Sequence, residues 1–294
     1  MDMIFGKLEE MVKNWLLDII RSNITDMLNS VNSQTANLGD LVTAKPSQWQ
    51  PGIWAMVQEI SSKAIVPIAA VILTGVMCYE LIGWINEQNR FHAPTDVIAQ
   101  LFKFIIKLFI GVTLVMQAQK ITIGIFDLAA YAIAQSMGVV VTDPGSVNTS
   151  IETLMEALKT EEIGALMSMV FTSMFGNLGI GIIDLAVRLT VTARMIEIYI
   201  YCSIGSLPYA TLGNSELKPV GVNYIKNLFA LAFQGFFMFI MLGIYAVLMR
   251  QTVGDAAGGE GAAGLIFNML FTSGLLVLML IRSKAIAKSI FSAQ

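Results

Sequence analysis

Charge is scarce in this chain: only 13% of its 294 residues are Asp, Glu, Lys or Arg, about half the share of an ordinary soluble domain. Histidine occurs once, at His92, and no His, Cys or carboxylate cluster stands beside it, which argues against a zinc site. The two cysteines, Cys78 and Cys202, both sit inside apolar runs, where they pack as small hydrophobes and form no disulfide or metal framework. No Walker A sequence is present, so nucleotide hydrolysis by that route is excluded, and neither GxSxG nor HExxH occurs. A net charge of −3 provides no global basic field for nucleic acid. The opening MDMIFGKLEEM has acids among its first ten residues and no uninterrupted apolar core, so it does not read as a cleavable signal peptide.

What the chain has in abundance is apolar sequence. Hydrophobic residues make up 55% of it, and its mean hydropathy is +0.69. These residues come in runs of about 20, the length that crosses a hydrocarbon core roughly 30 Å thick at 1.5 Å per helical residue. Every backbone polar group in lipid must be satisfied within the segment, so the expected class is all-α: a polytopic membrane protein of about seven transmembrane helices.

Residues 1–30 read as an N-terminal amphipathic helix. Ile4, Leu8, Met11, Trp15 and Ile19 recur at helical spacing, with Lys7, Glu9, Glu10, Lys13 and Asp18 on the other face. The mixed charge favours packing on protein over a basic lipid anchor. Residues 31–63 read as a polar linker broken by Pro46 and Pro51, with Trp49 and Trp54 suited to an interfacial belt. The transmembrane region, 64–282, divides into spans near 64–86, 97–118, 121–141, 163–187, 190–212, 222–249 and 263–281. A tight hairpin is expected at Gln119 and Lys120, and a short basic tail covers 283–294. Half of the 18 basic residues, including Arg90, Lys159, Lys218, Arg282, Lys284 and Lys288, fall on one side if the N-terminus is outside. That favours N-out and C-in.

A GxGxxG at Gly259, Gly261 and Gly264 lies between two spans, and no acid follows Glu260, so it reads as a flexible loop and not a dinucleotide site. The informative residues are charges within apolar runs: Glu80, Lys103, Lys107, Asp127, Asp184, Arg188, Arg194 and Glu197. An unpaired charge at mid-bilayer costs at least about 2.5–3.5 kcal/mol on insertion scales. Asp184 and Arg188, four apart, can share a helix face, as can Arg194 and Glu197, three apart. Lys103 and Lys107 must snorkel or find acids on another helix, Glu80 and Asp127 being the candidates. These charges fit structural pairs, subunit contacts or an aqueous passage, or an ion relay in a transporter. No matched repeat between halves favours the last. Gly176, Gly179 and Gly181 form a small-residue strip suited to close helix packing.

The stretch 188–240 (RLTVTARMIEIYIYCSIGSLPYATLGNSELKPVGVNYIKNLFALAFQGFFMFI) carries a resemblance. An Arg near the start of an aromatic-rich span and Pro208 near its end precede a short polar loop. A Tyr-x-Lys, Tyr224 to Lys226, then opens a Gln/Gly-containing span. This resembles the core of TrbL-type polytopic inner-membrane subunits of type IV secretion, or conjugative transfer, systems. The length and lack of a long hydrophilic C-terminal domain are similar to the compact versions of Gram-positive elements. The resemblance implies a non-enzymatic, cofactor-free channel or scaffold in the bacterial cytoplasmic membrane. It would oligomerise with itself, work beside separate ATPases and other secretion subunits, and help translocate ssDNA–protein or effector substrates. It also implies structural or channel-forming roles for Arg188, Arg194, Glu197, Pro208, Tyr224 and Lys226. Oligomerisation would gather Lys103, Lys107, Arg188 and Arg194 into rings that a polyanion favours. The alternative is a stand-alone secondary transporter or ion channel.

Overall fold

A computed structural model describes residues 2–88, 94–136, 152, 155, 156, 158–255 and 261–293. His92, Arg90, Gly259 and residues 142–151 lie outside the described residues. Among the described residues every regular element is helical: α1 (Asp2–Thr43), α2 (Pro46–Trp49), α3 (Pro51–Ile60), α4 (Val66–Gln88), α5 (Pro94–Ser136), α6 (Ile163–Ile204), α7 (Ser206–Ala210), α8 (Lys218–Asp255) and α9 (Gly261–Ile290). A π-helical turn, Ser61–Ile65, joins α3 to α4, and a 3-10 turn, Thr211–Gly213, follows α7. The chain is all-α and polytopic.

Among the described residues five helical stretches are long and apolar enough to cross a membrane: Pro51–Asn86, Val97–Ser136, Ile163–Gly213, Lys218–Thr252 and Ala263–Ile290. The count is lower than about seven because two pairs of expected spans are each one helix. No hairpin forms at Gln119 and Lys120. The sequence there, QAQKIT, contains no Gly or Pro and is rich in good helix formers, so nothing terminates α5. The same holds at VRLT, residues 187–190, within α6. At 1.5 Å per residue, 43 residues span roughly 65 Å, about twice a hydrocarbon core. The 31–63 stretch, expected as a linker, is largely helical, since α1 runs on to Thr43 and α2 and α3 follow.

The chain forms two compact units. Residues 1–43, 134–192 and 237–283 make the first, and residues 44–133, 193–236 and 284–294 the second. In the first unit α1 is held by Leu16, Ile20, Ile24, Met27, Leu28 and Val31, each buried. Their spacing of three and four gives one helical face. That face is displaced from the expected one, for Leu8, Met11 and Trp15 are exposed. Asn23 Nδ2 donates to Ser173 Oγ at 2.9 Å, tying α1 to the small-residue strip of α6. A Cβ on Gly176 would lie 2.6 Å from Ile266 Cγ2 and 3.0 Å from Met27 Cε, and one on Gly179 2.6 Å from Leu270 Cδ2. Gly181 faces open space.

These contacts set up a contrast. Gly176→Ala should destabilise by about 1–3 kcal/mol, because β-branched Ile266 cannot swing aside freely. Gly181→Ala should be neutral or stabilising by up to about 1 kcal/mol through helix propensity alone. Thermal unfolding of both variants in one detergent checks the difference.

The core of the second unit is aromatic. Trp54, Phe126, Tyr199, Tyr209 and Tyr224 are buried there with Met195, Ile198, Cys202 and Leu228. Trp54 packs at 6.0 Å against Tyr199, and Trp49 at 5.8 Å against the same ring. The Tyr199 hydroxyl donates to the Pro46 carbonyl at 2.8 Å, which fixes α2 to α6.

Candidate functional site: charges within the apolar helices

All of the site geometry that follows, apart from Asp184 and Arg188, lies in the second unit. Glu80 on α4 is its first centre. One carboxylate oxygen accepts from Lys107 Nζ on α5, and the other accepts from Asn214 Nδ2 at 2.8 Å. Asn214 is positioned by its own backbone: its Oδ1 accepts the amides of Glu216 at 2.9 Å and Leu217 at 3.1 Å, a side-chain turn that leads into α8. Tyr79 donates to Glu216 Oε2 at 2.9 Å from the adjoining position on α4. A charge that would be costly alone in lipid is thus matched by a cation and an amide from different elements.

Glu80→Gln removes the charge but keeps the shape. With side-chain exposures of 18% for Glu80 and 44% for Lys107, the pair falls between the surface and buried limits, and the variant should lose about 1–2 kcal/mol. Adding Lys107→Met should recover most of that loss. Equal unfolding midpoints for Glu80→Gln and wild type would show the pair to be idle.

The second centre lies where α6, α8 and α9 meet. Arg194 is 94% buried by its 6% exposure. Its guanidinium lies against α8, where a Cβ on Gly235 would be 2.5 Å from Nη2 and 2.9 Å from Cζ. Its hydrogen bond is long, from Nη2 to the Ala232 carbonyl at 3.4 Å, and Nε and Nη1 have no partner among the described residues. The local pair that spacing allows with Glu197 does not form. Glu197 instead accepts from Lys284 Nζ of α9 at 2.6 Å. Around that pair an open cleft is lined by Tyr201, Asn227, Gln234 and Lys288.

Between these centres α6 ends. Gly205 follows Ile204, and a Cβ there would meet the Tyr224 hydroxyl at 2.9 Å and Thr122 Oγ1 at 3.5 Å. Tyr224 donates to the Tyr201 carbonyl at 2.8 Å and stacks on that ring at 5.7 Å, while Tyr209 meets Tyr224 edge-on. Pro208 lies inside α7, and its carbonyl accepts from Thr211 Oγ1 at 2.8 Å. Lys226 Nζ reaches the Ser292 carbonyl at 3.5 Å.

The remaining charges have ordinary partners. Asp184 accepts from Arg188 Nε at 2.9 Å on the same helix. Asp127 pairs at 2.8 Å with Lys45, which precedes α2. Lys103 has no ion pair among the described residues. Sequence reasoning singled out neither Asn214, Gly235, Thr122 nor Tyr209, because a lone polar or small residue carries no pattern. Among the described residues no three His, Cys, Asp or Glu side chains are grouped to hold a metal ion.

Comparison with known proteins adds one finding. A family model described as TrbL/VirB6 plasmid conjugal transfer like protein matches residues 31–206. No curated protein and no solved structure matches. The matched segment contains all eight intramembrane charges from Glu80 to Glu197, whereas Pro208, Tyr224, Gly235 and Lys284 lie beyond it. The match covers more than half of the sequence and overlaps three of the five membrane-length helical stretches, so the chain belongs to the TrbL/VirB6 plasmid conjugal transfer-like family and is a membrane component of a conjugation system.

Proposed function

We propose that this protein is a non-enzymatic channel or scaffold subunit of a type IV secretion machine in the bacterial cytoplasmic membrane. In this reading it assembles with copies of itself and with other secretion subunits, including ATPases that supply the energy. The ssDNA–protein or effector substrate passes through the assembly. The family match carries the reading, and the charge distribution within the matched segment supports it. Glu80, Lys107, Asp127, Asp184, Arg188 and Glu197 are matched by partners within the chain, so they serve its integrity. Among the described residues Lys103 has no ion pair and Arg194 is underbonded, so of these eight charges the two are the cations left for a subunit contact or an aqueous passage. Gly176, Gly179 and Pro208 act as sites of helix packing, whereas Gly181, with open space around it, does not. The N-terminus lies outside and the C-terminus in the cytoplasm, a disposition that an odd number of spans allows and the basic C-terminal residues favour.

Solubilising membranes in mild detergent and measuring particle mass tests the assembly. A closed oligomer, or co-purification with a secretion ATPase, is expected. A monodisperse monomer that moves a small ion after reconstitution would favour a stand-alone transporter or channel instead.

A further inference from the structure

Among the acids of the second unit whose side chains are described, Glu59, Glu80, Asp127 and Glu197 each hold a lysine. Glu216 holds none. It is exposed on the turn before α8, and its Oε2 takes the Tyr79 hydroxyl. Lys103 is the cation that matches it: exposed on α5, and without an ion pair among the described residues. The two lie at one depth. About 6 Å along α5 from Lys103, one helical turn, Lys107 reaches Glu80. The other oxygen of Glu80 takes Asn214, two residues before Glu216. Lys103 and Glu216 thus stand in one layer on different elements, α5 and the turn, and do not pair within the chain.

Apolar surface surrounds both charges. Val97–Ser136 is the least covered of the five membrane-length stretches, with 6% of its apolar window buried against 22–50% in the others. Along it Ile98, Phe102, Ile105, Phe109, Val112 and Met116 form an exposed seam at alternating spacings of four and three. That is the repeat by which two helices interlock. On α4, Ile68, Ile72, Gly75, Tyr79 and Ile82 are exposed at the same spacings. A Cβ on Gly75 would meet nothing within 4 Å, and its neighbours Leu73 and Met77 face Gly111 of α5. The gap at Gly75 therefore lies level with Phe109 and Val112. Hydrocarbon covers either seam but matches neither charge. A second copy matches both.

We propose that a second copy of this chain docks here, the α5 seam of one protomer against the α4 seam of the next, with Lys103 Nζ donating to Glu216 of its neighbour. The two surfaces differ, so each protomer keeps one of each for a further copy, and the contact closes into a ring where the rotation allows. This contact presupposes the self-assembly proposed above and gives it a surface.

The test uses the full chain in mild detergent, with particle mass as the readout. Lys103→Glu or Glu216→Lys should each weaken association roughly tenfold or more, because like charges then meet. The two together restore the pair in reverse and should recover the wild-type mass. Lys120→Glu, about 25 Å further along α5, should change nothing. Both side chains are exposed, so circular dichroism of every variant should match wild type. A cross-link checks the contact without reversing any charge. In a Cys78→Ser background, copies with Lys103→Cys and differently tagged copies with Glu216→Cys, co-expressed, should be joined by a short bis-maleimide. An oligomer indifferent to both reversals, or one that gives no mixed cross-link, would overturn the contact and leave self-assembly standing. A monomeric wild type would overturn both.

Discussion

Replacing Arg194 with Met is expected to leave the protein as stable as wild type or more stable, while lowering conjugative transfer. A buried guanidinium is tolerated when its donors are satisfied, and here they are not: one long contact to the Ala232 carbonyl stands against two unpartnered nitrogens. Exchanging such a buried charge for a hydrophobic side chain of similar length is commonly neutral or stabilising by about 1–4 kcal/mol. Met is unbranched and polarisable, so it can follow the path of the arginine stem between α6 and α8. A charge that costs stability and is nevertheless present points to a role in assembly or passage, which is why transfer should fall by more than any change in protein level. Unfolding midpoints and mating frequencies of the two proteins, matched for expression, provide the check. A loss of several kcal/mol in Arg194→Met would mean that the guanidinium is well satisfied and structural.

Gly235→Ala is the second large effect. The added methyl would stand 2.5 Å from Arg194 Nη2, 2.9 Å from Cζ and 3.2 Å from Nη1, so it meets the whole guanidinium plane and not one movable atom. Neither partner has room to retreat, since Ala232 and Met195 are also buried. Overpacking of this kind typically costs about 1–3 kcal/mol. The cause can be isolated with a double-mutant cycle. In an Arg194→Ala background the guanidinium is gone, and Gly235→Ala should become nearly neutral, giving a coupling of about 0.5–3 kcal/mol. The same cost in both backgrounds would place the clash elsewhere.

These residues also show how much the sequence could reveal. The apolar runs announce membrane helices because lipid forces each one to satisfy its own backbone. Where one helix stops is harder to read. Gln119 and Lys120 look like a polar turn between two spans, yet a turn needs a residue that breaks the helix, and neither does. Conversely, the break after Ile204 is marked by Gly205 and Pro208, and helix α6 does end there. Charges four apart on one helix are easy to foresee, and Asp184 and Arg188 pair in that manner. Glu197 has a nearer candidate in Arg194 but joins Lys284, 87 residues later, because tertiary packing and not spacing decides which cation can reach it. Asp127 likewise finds Lys45, on a segment that looked like linker. Gly235 carries no signal in a span that contains other small residues, and its importance is visible only once Arg194 lies across it.

The central claim is that this chain is a membrane-embedded component on which conjugative transfer depends. Removing its gene in frame from donor cells and counting transconjugants, with the wild-type gene returned in trans, tests this most directly. Transfer should collapse on deletion and return with a protein that fractionates with the membrane and is released only by detergent. Undiminished transfer without the gene, or a complementing protein found free in the aqueous fraction, would contradict it.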